Sequence, residues 1–464
     1  MKFAKVLILM KNNAETTAVF ESLPVLKALE IMALPTIISQ LIVLIYNFAD
    51  TFYVGKTNDP HMVAALSLIL PVFNITLSLA SLTSVGSGTL ISRLLGEKRE
   101  GEARKICAFS IYASILAAAL FSLLMAVFME PVLYLLGADE HTMLYAKQYS
   151  YCVIVFGGVP TVLSNVLSNL LRSAGASREA GFGITFGGLI NIALDPLFMF
   201  VLMPRGQEVL GAGVATCISN YIACLYFVFV IFRMGKASVI TFSLKTGMPS
   251  SGSIRSTFGV GVPAALTTLL FDLDYVVIDR LMVEYGNVAL AAVGIVLKAE
   301  RLPLNFGVGL CQGMMPLVAY NYSSGDHKRM NAVMLCALRV GLVMSAVSVA
   351  LYELAAPYIM RAFIEETGTV ALGTDFLRIR VLATPLMFMS FFTVFLFQAF
   401  GRGDKAFFLG VSRWLVLNIP MLFILNGVFG IYGIVWSQFT ADSLTVALSF
   451  YVYKKYADRH LRLC

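Results

Sequence analysis

Charged residues are scarce in this sequence. Asp, Glu, Lys and Arg make up 13% of its 464 residues, about half the share found in soluble domains. That deficit excludes a charged, water-facing coat over most of the surface, and a mean hydropathy of +0.82 assigns that surface to lipid. Histidine is nearly missing. His61, His141, His327 and His460 all fall near turns or the tail, so proton chemistry at membrane depth has no imidazole and falls to carboxylates. The seven cysteines form no C-x-x-C, and all but Cys464 lie in apolar stretches. A disulfide framework and a zinc site are therefore excluded, and no cofactor is expected beyond a coupling ion.

What is present is apolar runs. A spanning helix needs about 20 mostly apolar residues. With charge clusters, Gly and Pro as punctuation, twelve spans are expected, at 28–54, 62–93, 106–129, 143–171, 180–203, 211–233, 257–283, 289–320, 331–355, 374–400, 406–428 and 431–453. The first residues, with two lysines and the short run VLILM, are too brief for a signal-peptide core and lack a cleavage site. Residues 1–27 are read as a cytoplasmic tail, with Met10 as an alternative start, and 454–464 as a second cytoplasmic tail. The net charge of +7 would suit a nucleic-acid binder, but its placement indicates membrane orientation instead. With both termini cytoplasmic, about 24 Lys and Arg lie on that side against about 6 opposite, the latter including Arg378 and Arg380, as the positive-inside rule requires. The expected location is the inner membrane, multi-pass.

The chain repeats itself. Pro35 in ALPTIISQL matches Pro263 in GVPAALTTL, Pro160 matches Pro385, and Asn191 in LINIALDPLF matches Asn418 in VLNIPMLF, all at offsets of 225 to 228. Six spans per half is an even number, so both halves enter from the same side. That gives parallel repeats about an axis along the membrane normal, with a cleft between them. The halves are 28–235 and 257–453, and the polar, basic stretch 236–256 is their cytoplasmic linker.

Few charges are expected at depth, since each costs roughly 2.5–3.5 kcal/mol at the bilayer centre on insertion scales and therefore faces an internal cavity. At 1.5 Å per residue, Asp50 lies about 9 Å and Asp195 about 15 Å below the outer ends of their spans, and Thr216 about 8 Å in. Asn191, four residues before Asp195, shares its helical face. Two carboxylates, an amide and a hydroxyl offer oxygen ligands suited to a proton or a hard cation such as Na⁺. Pro196 interrupts that helix and frees carbonyls as further ligands. The second half keeps Asn418 but has Leu422 where the repeat would place the counterpart of Asp195. Its own acids are Asp272, Asp274 and Asp279 in FDLDYVVID, with Lys298, Glu300 and Arg301 in the next span as cavity lining or buried ion-pair partners. Asp272 is the expected cavity acid, and Asp279 is expected at the interface. Polar stripes add Asn165, Asn169 and Arg172 on span four and Tyr46, Asn47 and Asp50 on span one, and such faces point inward.

YNFADTFYVG late in span one, GASREAGFGITFGGLINIALDPLF across spans four and five, and GAGVAT opening span six together resemble the multidrug and toxic compound extrusion family, over about residues 25–455. The resemblance implies an all-α membrane protein of twelve helices in two six-helix bundles related by a pseudo-twofold, with a V-shaped cleft. It implies that Asp50, Asn191, Asp195 and Thr216 form the coupling-ion site of the first half. It also implies a role for an acid on span seven paired with one in span ten, but span ten here has no central acid. Pro35 is the expected bending point of span one. The expected function is antiport of organic, mainly cationic amphipathic compounds against H⁺ or Na⁺, by a monomer in the bilayer with no nucleic-acid partner and no enzymatic activity. Two alternatives are a lipid-linked oligosaccharide flippase of the same superfamily and a membrane prenyltransferase reading FDLDYVVID as a magnesium–diphosphate motif.

Overall fold

The computed structural model describes residues 13–57, 59–235 and 238–460, with the side chain of Asp272 outside the described residues. No strand occurs among them, because a lipid-embedded backbone must satisfy its own N–H and C=O groups and a helix does so within one segment. A short helix, Asn13–Glu21, comes first. The first half follows as α1 (Val25–Gly55), α2 (Pro60–Gly96), α3 (Glu100–Leu135), α4 (Met143–Phe156 and Gly158–Ser173), α5 (Ser177–Leu202) and α6 (Glu208–Met234). The second half is α7 (Ser251–Val283), α8 (Asn287–Ser323), α9 (His327–Phe363), α10 (Thr367–Val381 and Thr384–Ala399), α11 (Gly403–Phe429) and α12 (Ile431–His460).

Among the described residues, nine of these helices are long and apolar enough to cross a bilayer, or eleven when each bent pair is one span. The expected twelfth span lies inside α12 but falls short of that apolarity. Its face carrying Gln438, Asp442, Thr445 and Ser449 is buried in the bundle, so it is the protein and not lipid that receives the polar stripe. The tail expected at 1–27 holds the short helix and the first turn of α1, and α12 runs on through His460.

Local sequence sets the breaks. Asp59 caps α2 by accepting from the His61 N–H at 2.8 Å, with Pro60 at the first helical position, where its missing N–H costs nothing. Glu366 caps α10 through the Gly368 and Thr369 N–H groups. The Thr369 hydrogen bonds hold the Glu366 carboxyl below its ordinary pKa. The repeat is visible in the kinks: α4 bends by 48° and α10 by 45°, each just ahead of the matched prolines Pro160 and Pro385. Wide π-helical turns at Tyr151–Phe156, Phe198–Leu202 and Ser412–Asn418 mark the same helices and their neighbours.

The halves meet through small residues, as membrane helices do when close approach replaces hydrophobic drive. A Cβ on Gly86 of α2 would stand 1.8 Å from the Thr257 carbonyl of α7, and one on Gly261 of α7 1.8 Å from the Leu82 carbonyl. The pseudo-twofold partner contact is α1 with α8, where a Cβ on Gly313 would stand 2.3 Å from the Ala33 Cα. Ser323 Oγ donates to the Arg93 carbonyl at 2.7 Å, and Gln40 Nε2 to Gln312 Oε1 at 3.0 Å. These contacts lie toward the end that carries the chain termini, with Gln40–Gln312, at the middle of α1, the farthest from that end.

Candidate functional site

The first half gathers its polar centre from α1, α5 and α6. Asn191 Nδ2 donates to Asp195 Oδ1 and to Thr216 Oγ1, each at 3.3 Å. Asp50 reaches in from α1, and its carboxyl lies beside that of Asp195 within hydrogen-bonding reach. All four side chains are buried, Asp195 completely. Asp50 Oδ1, Asn191 Oδ1 and Asp195 Oδ2 find no hydrogen-bond partner among the described residues. Buried acceptors are nearly always satisfied, and two carboxylates at contact repel unless a proton or cation lies between them. The geometry thus brings three buried acceptor oxygens without a protein partner to one centre.

Tyr46 lies next to Asp50 and packs on Gly188 of α5, whereas Asn47 is exposed. Tyr149 of α4 stands within reach of Thr216, Asp50 and Asp195. Sequence reasoning missed it, because a tyrosine near the end of a span is ordinary interfacial composition. Asn165 and Asn169 line a seam inside the first half: Asn169 Nδ2 donates to Ser84 Oγ of α2 at 3.2 Å, and Arg172 donates to Asn169 Oδ1 at 2.8 Å. Asn165 donates to its own helix, at the Thr161 carbonyl.

Pro35 lies inside α1 and packs against α5, where a Cβ on Gly181 would stand 2.5 Å from the Pro35 carbonyl. Proline leaves the carbonyl four residues earlier, on Ile31, without its helical donor. The next carbonyl, Met32, accepts from Thr36 Oγ1 at 3.0 Å and Ser177 Oγ at 2.6 Å. The Met32 carbonyl thus takes side-chain donors from α1 and α5 one position beyond the gap that Pro35 leaves.

The second half is built differently. Leu422 is fully buried where an acid would repeat Asp195. Asn418, the counterpart of Asn191, donates instead to Asp274 Oδ1 of α7 at 2.6 Å. Among the described residues Asp274 forms no ion pair with Lys298 or Arg301, one of the readings the sequence leaves open for this cluster. Glu300 is held by Arg380 of α10 through two hydrogen bonds of 2.7 and 2.9 Å, with the Tyr275 hydroxyl at 3.4 Å. Arg301 stacks over the Tyr275 ring, and Asp279 is exposed. Arg413 of α11 pairs with Asp442 of α12 at 2.7 Å, and Gln438 donates to the same carboxylate at 2.5 Å. Arg380 and Arg413, counted toward membrane orientation although they fall within the expected spans 374–400 and 406–428, are buried inside the bundle. The signal that could have found them is an opposite charge inside another expected span. The two centres thus differ in electrostatics: among the described residues the first has two carboxylates and no basic side chain paired with them, while the second pairs Arg380 with Glu300 and Arg413 with Asp442 beside Asp274.

The family model MatE matches this chain twice, over residues 35–197 and 263–424, which places the same unit on both halves. The chain is 30% identical over 441 residues to the multidrug export protein MepA of Staphylococcus aureus (strain bovine RF122 / ET3-1), covering 95% of this chain and 96% of that protein. The MepA of Staphylococcus saprophyticus is similar to the same extent. A solved structure described as the outward-facing conformation of a multidrug resistance MATE family transporter superposes with a TM-score of 0.91 at 21% identity, covering 98% of this chain and all of that one. The chain belongs to the MatE family of multidrug and toxic compound extrusion transporters, membrane proteins that export compounds and are not enzymes.

Proposed function

We propose that this transporter exports organic, mainly cationic amphipathic compounds in exchange for H⁺ or Na⁺ bound between Asp50 and Asp195. The observation that carries the proposal is the juxtaposed, buried carboxyl pair with an unpartnered oxygen on each member and on Asn191. An ion entering this centre neutralises a charge that α1 and α5 otherwise hold against each other. Neutralisation lets α1 draw toward α5 and bend at Pro35, where its hydrogen-bond ladder is already interrupted, and the first half then has less room for substrate. The second half, with its arginines already in place, acts as the fixed partner. Both termini face the cytoplasm in this scheme, and the transporter works as a monomer in the inner membrane.

The flippase alternative needs free basic side chains to hold a diphosphate. Arg380 and Arg413 are instead engaged by Glu300 and Asp442, and Arg172 by Asn169 and Ser168. The relatives named for multidrug export point the same way.

Vesicles carrying the purified protein and a fluorescent lipophilic cation such as ethidium test this under separately imposed pH and sodium gradients. Uphill movement of the cation under at least one gradient is the expected result. Movement indifferent to both gradients contradicts ion exchange, and selective movement of a lipid-linked diphosphate would favour the flippase.

A further inference from the structure

The helix Asn13–Glu21 is covalently part of the first half but is docked on the second. Val19 and Phe20 are buried at its end. The Phe20 ring stacks on Tyr320 of α8, with centroids 4.7 Å apart and planes at 14°. The Tyr320 hydroxyl donates to Glu21 Oε1 at 2.6 Å. Asn321 Nδ2 donates to the Phe20 carbonyl at 3.4 Å. Arg329 of α9 donates from Nε to the Phe20 carbonyl at 2.6 Å and from Nη2 to the Val19 carbonyl at 3.2 Å. The last carbonyls of a helix lack intrahelical donors and form the negative end of its dipole, so a guanidinium from the other half completes this helix.

Only Ser22–Pro24 separate the docked segment from α1. Three residues span at most about 11 Å when fully extended. Beside the dock, α1 packs on α8 through Ala33–Gly313, and Ser323 of α8 bonds the Arg93 carbonyl of α2. Opening this end requires α8 and α9 to leave α1 and α2, which pulls directly on the short link.

We propose that Val19–Glu21, seated on Tyr320, Asn321 and Arg329, form a latch that holds the terminus-bearing end closed and undocks when that end opens. The inference rests on the transport function only in requiring that this end opens. The latch holds by apolar burial and by cross-half hydrogen bonds, both of which favour the closed arrangement and neither of which survives separation of α8 from α1. Its strength is therefore set by residues remote from the Asp50–Asp195 carboxyl pair.

The α2–α7 crossing at Gly86 and Gly261 reports closure without being touched by the latch residues. Hydrogen–deuterium exchange of the full-length protein in lipid nanodiscs reads residues 82–93 and 257–263 there, with no substrate and no gradient. Phe20→Ala, and a chain beginning at Ser22 that keeps all of α1 to α12, are expected to raise exchange at this crossing several-fold. Tyr320→Phe, which keeps the stack and loses the Glu21 bond, is expected to raise it less. Unchanged exchange in both Phe20→Ala and the truncated chain overturns the latch. So does a rise of equal size at the far end of α9 and α10, which reports general loosening. Neither overturning result bears on the Asp50–Asp195 pair, because no ion gradient is applied.

Discussion

Asp50→Asn and Asp195→Asn each reduce gradient-driven export to the level of empty vesicles while the protein still folds and inserts. Asparagine keeps the size and planarity of the carboxyl group and mimics its neutral form. Each change replaces a carboxyl that lies beside another carboxyl in the first half, so no opposite-charge pair is lost and stability does not suffer on that account. What disappears is the ability to gain and lose a positive charge at this point, and with it the link between gradient and conformation. Export is read as efflux of a preloaded fluorescent cation under the gradient that drives the wild type, with monodispersity in detergent as the folding control. Wild-type export by both variants would move the coupling role to another carboxylate, with Asp274 the next candidate.

The second large effect concerns stability. Arg380→Met leaves Glu300 buried with no guanidinium, and the Glu300–Arg380 pair is almost fully enclosed. Breaking a buried pair by removing one partner costs about 3–5 kcal/mol, whereas replacing both with apolar side chains of similar volume is close to neutral. Arg380→Met is therefore expected to lower the unfolding midpoint strongly, and the double variant Glu300→Met with Arg380→Met to recover most of the loss. Unfolding followed by tryptophan fluorescence serves as the measurement, since Trp414 lies beside the neighbouring Arg413. A double variant as unstable as the single one would mean that Arg380 also holds Asp274, whose carboxylate lies in its field.

The difference between these two predictions follows what was legible in the sequence. Asp50 and Asp195 stood out because a charge deep in an apolar run is costly and needs a reason. Asn191 and Thr216 followed from helical spacing and depth. The two halves were legible because Pro35 and Pro263, Pro160 and Pro385, and Asn191 and Asn418 recur at nearly one offset. Arg380 and Arg413 lie within the expected spans 374–400 and 406–428 yet count toward orientation, because the positive-inside rule assigns every Lys and Arg to one side of the membrane, an assignment that fails when the charge is neutralised by another helix. Their partners, Glu300 and Asp442, are 80 and 29 positions away, and periodicity carries no information about such pairs. Asp442 also lowers the apolarity of α12, the helix that falls short of the apolarity of the other spans. The helix Asn13–Glu21 looked like a tail because it is short and its burial depends on Tyr320 and Arg329, about 300 positions further on. Tyr149 carried no anomaly at all, since its reach to Thr216 depends on the path of α4 near its wide turns.

The most direct test of the exchange mechanism is proton release on substrate binding. Purified protein in weakly buffered detergent solution near neutral pH is mixed with saturating ethidium, and the pH change is read with an indicator dye, with and without sodium. A carboxyl pair that shares one proton is predicted to release about one proton per molecule on binding, to release less when sodium already occupies the pair, and to release none in the Asp50→Asn, Asp195→Asn double variant. Undiminished release from that double variant, or wild-type binding that competes with neither ion, would contradict ion exchange at Asp50 and Asp195.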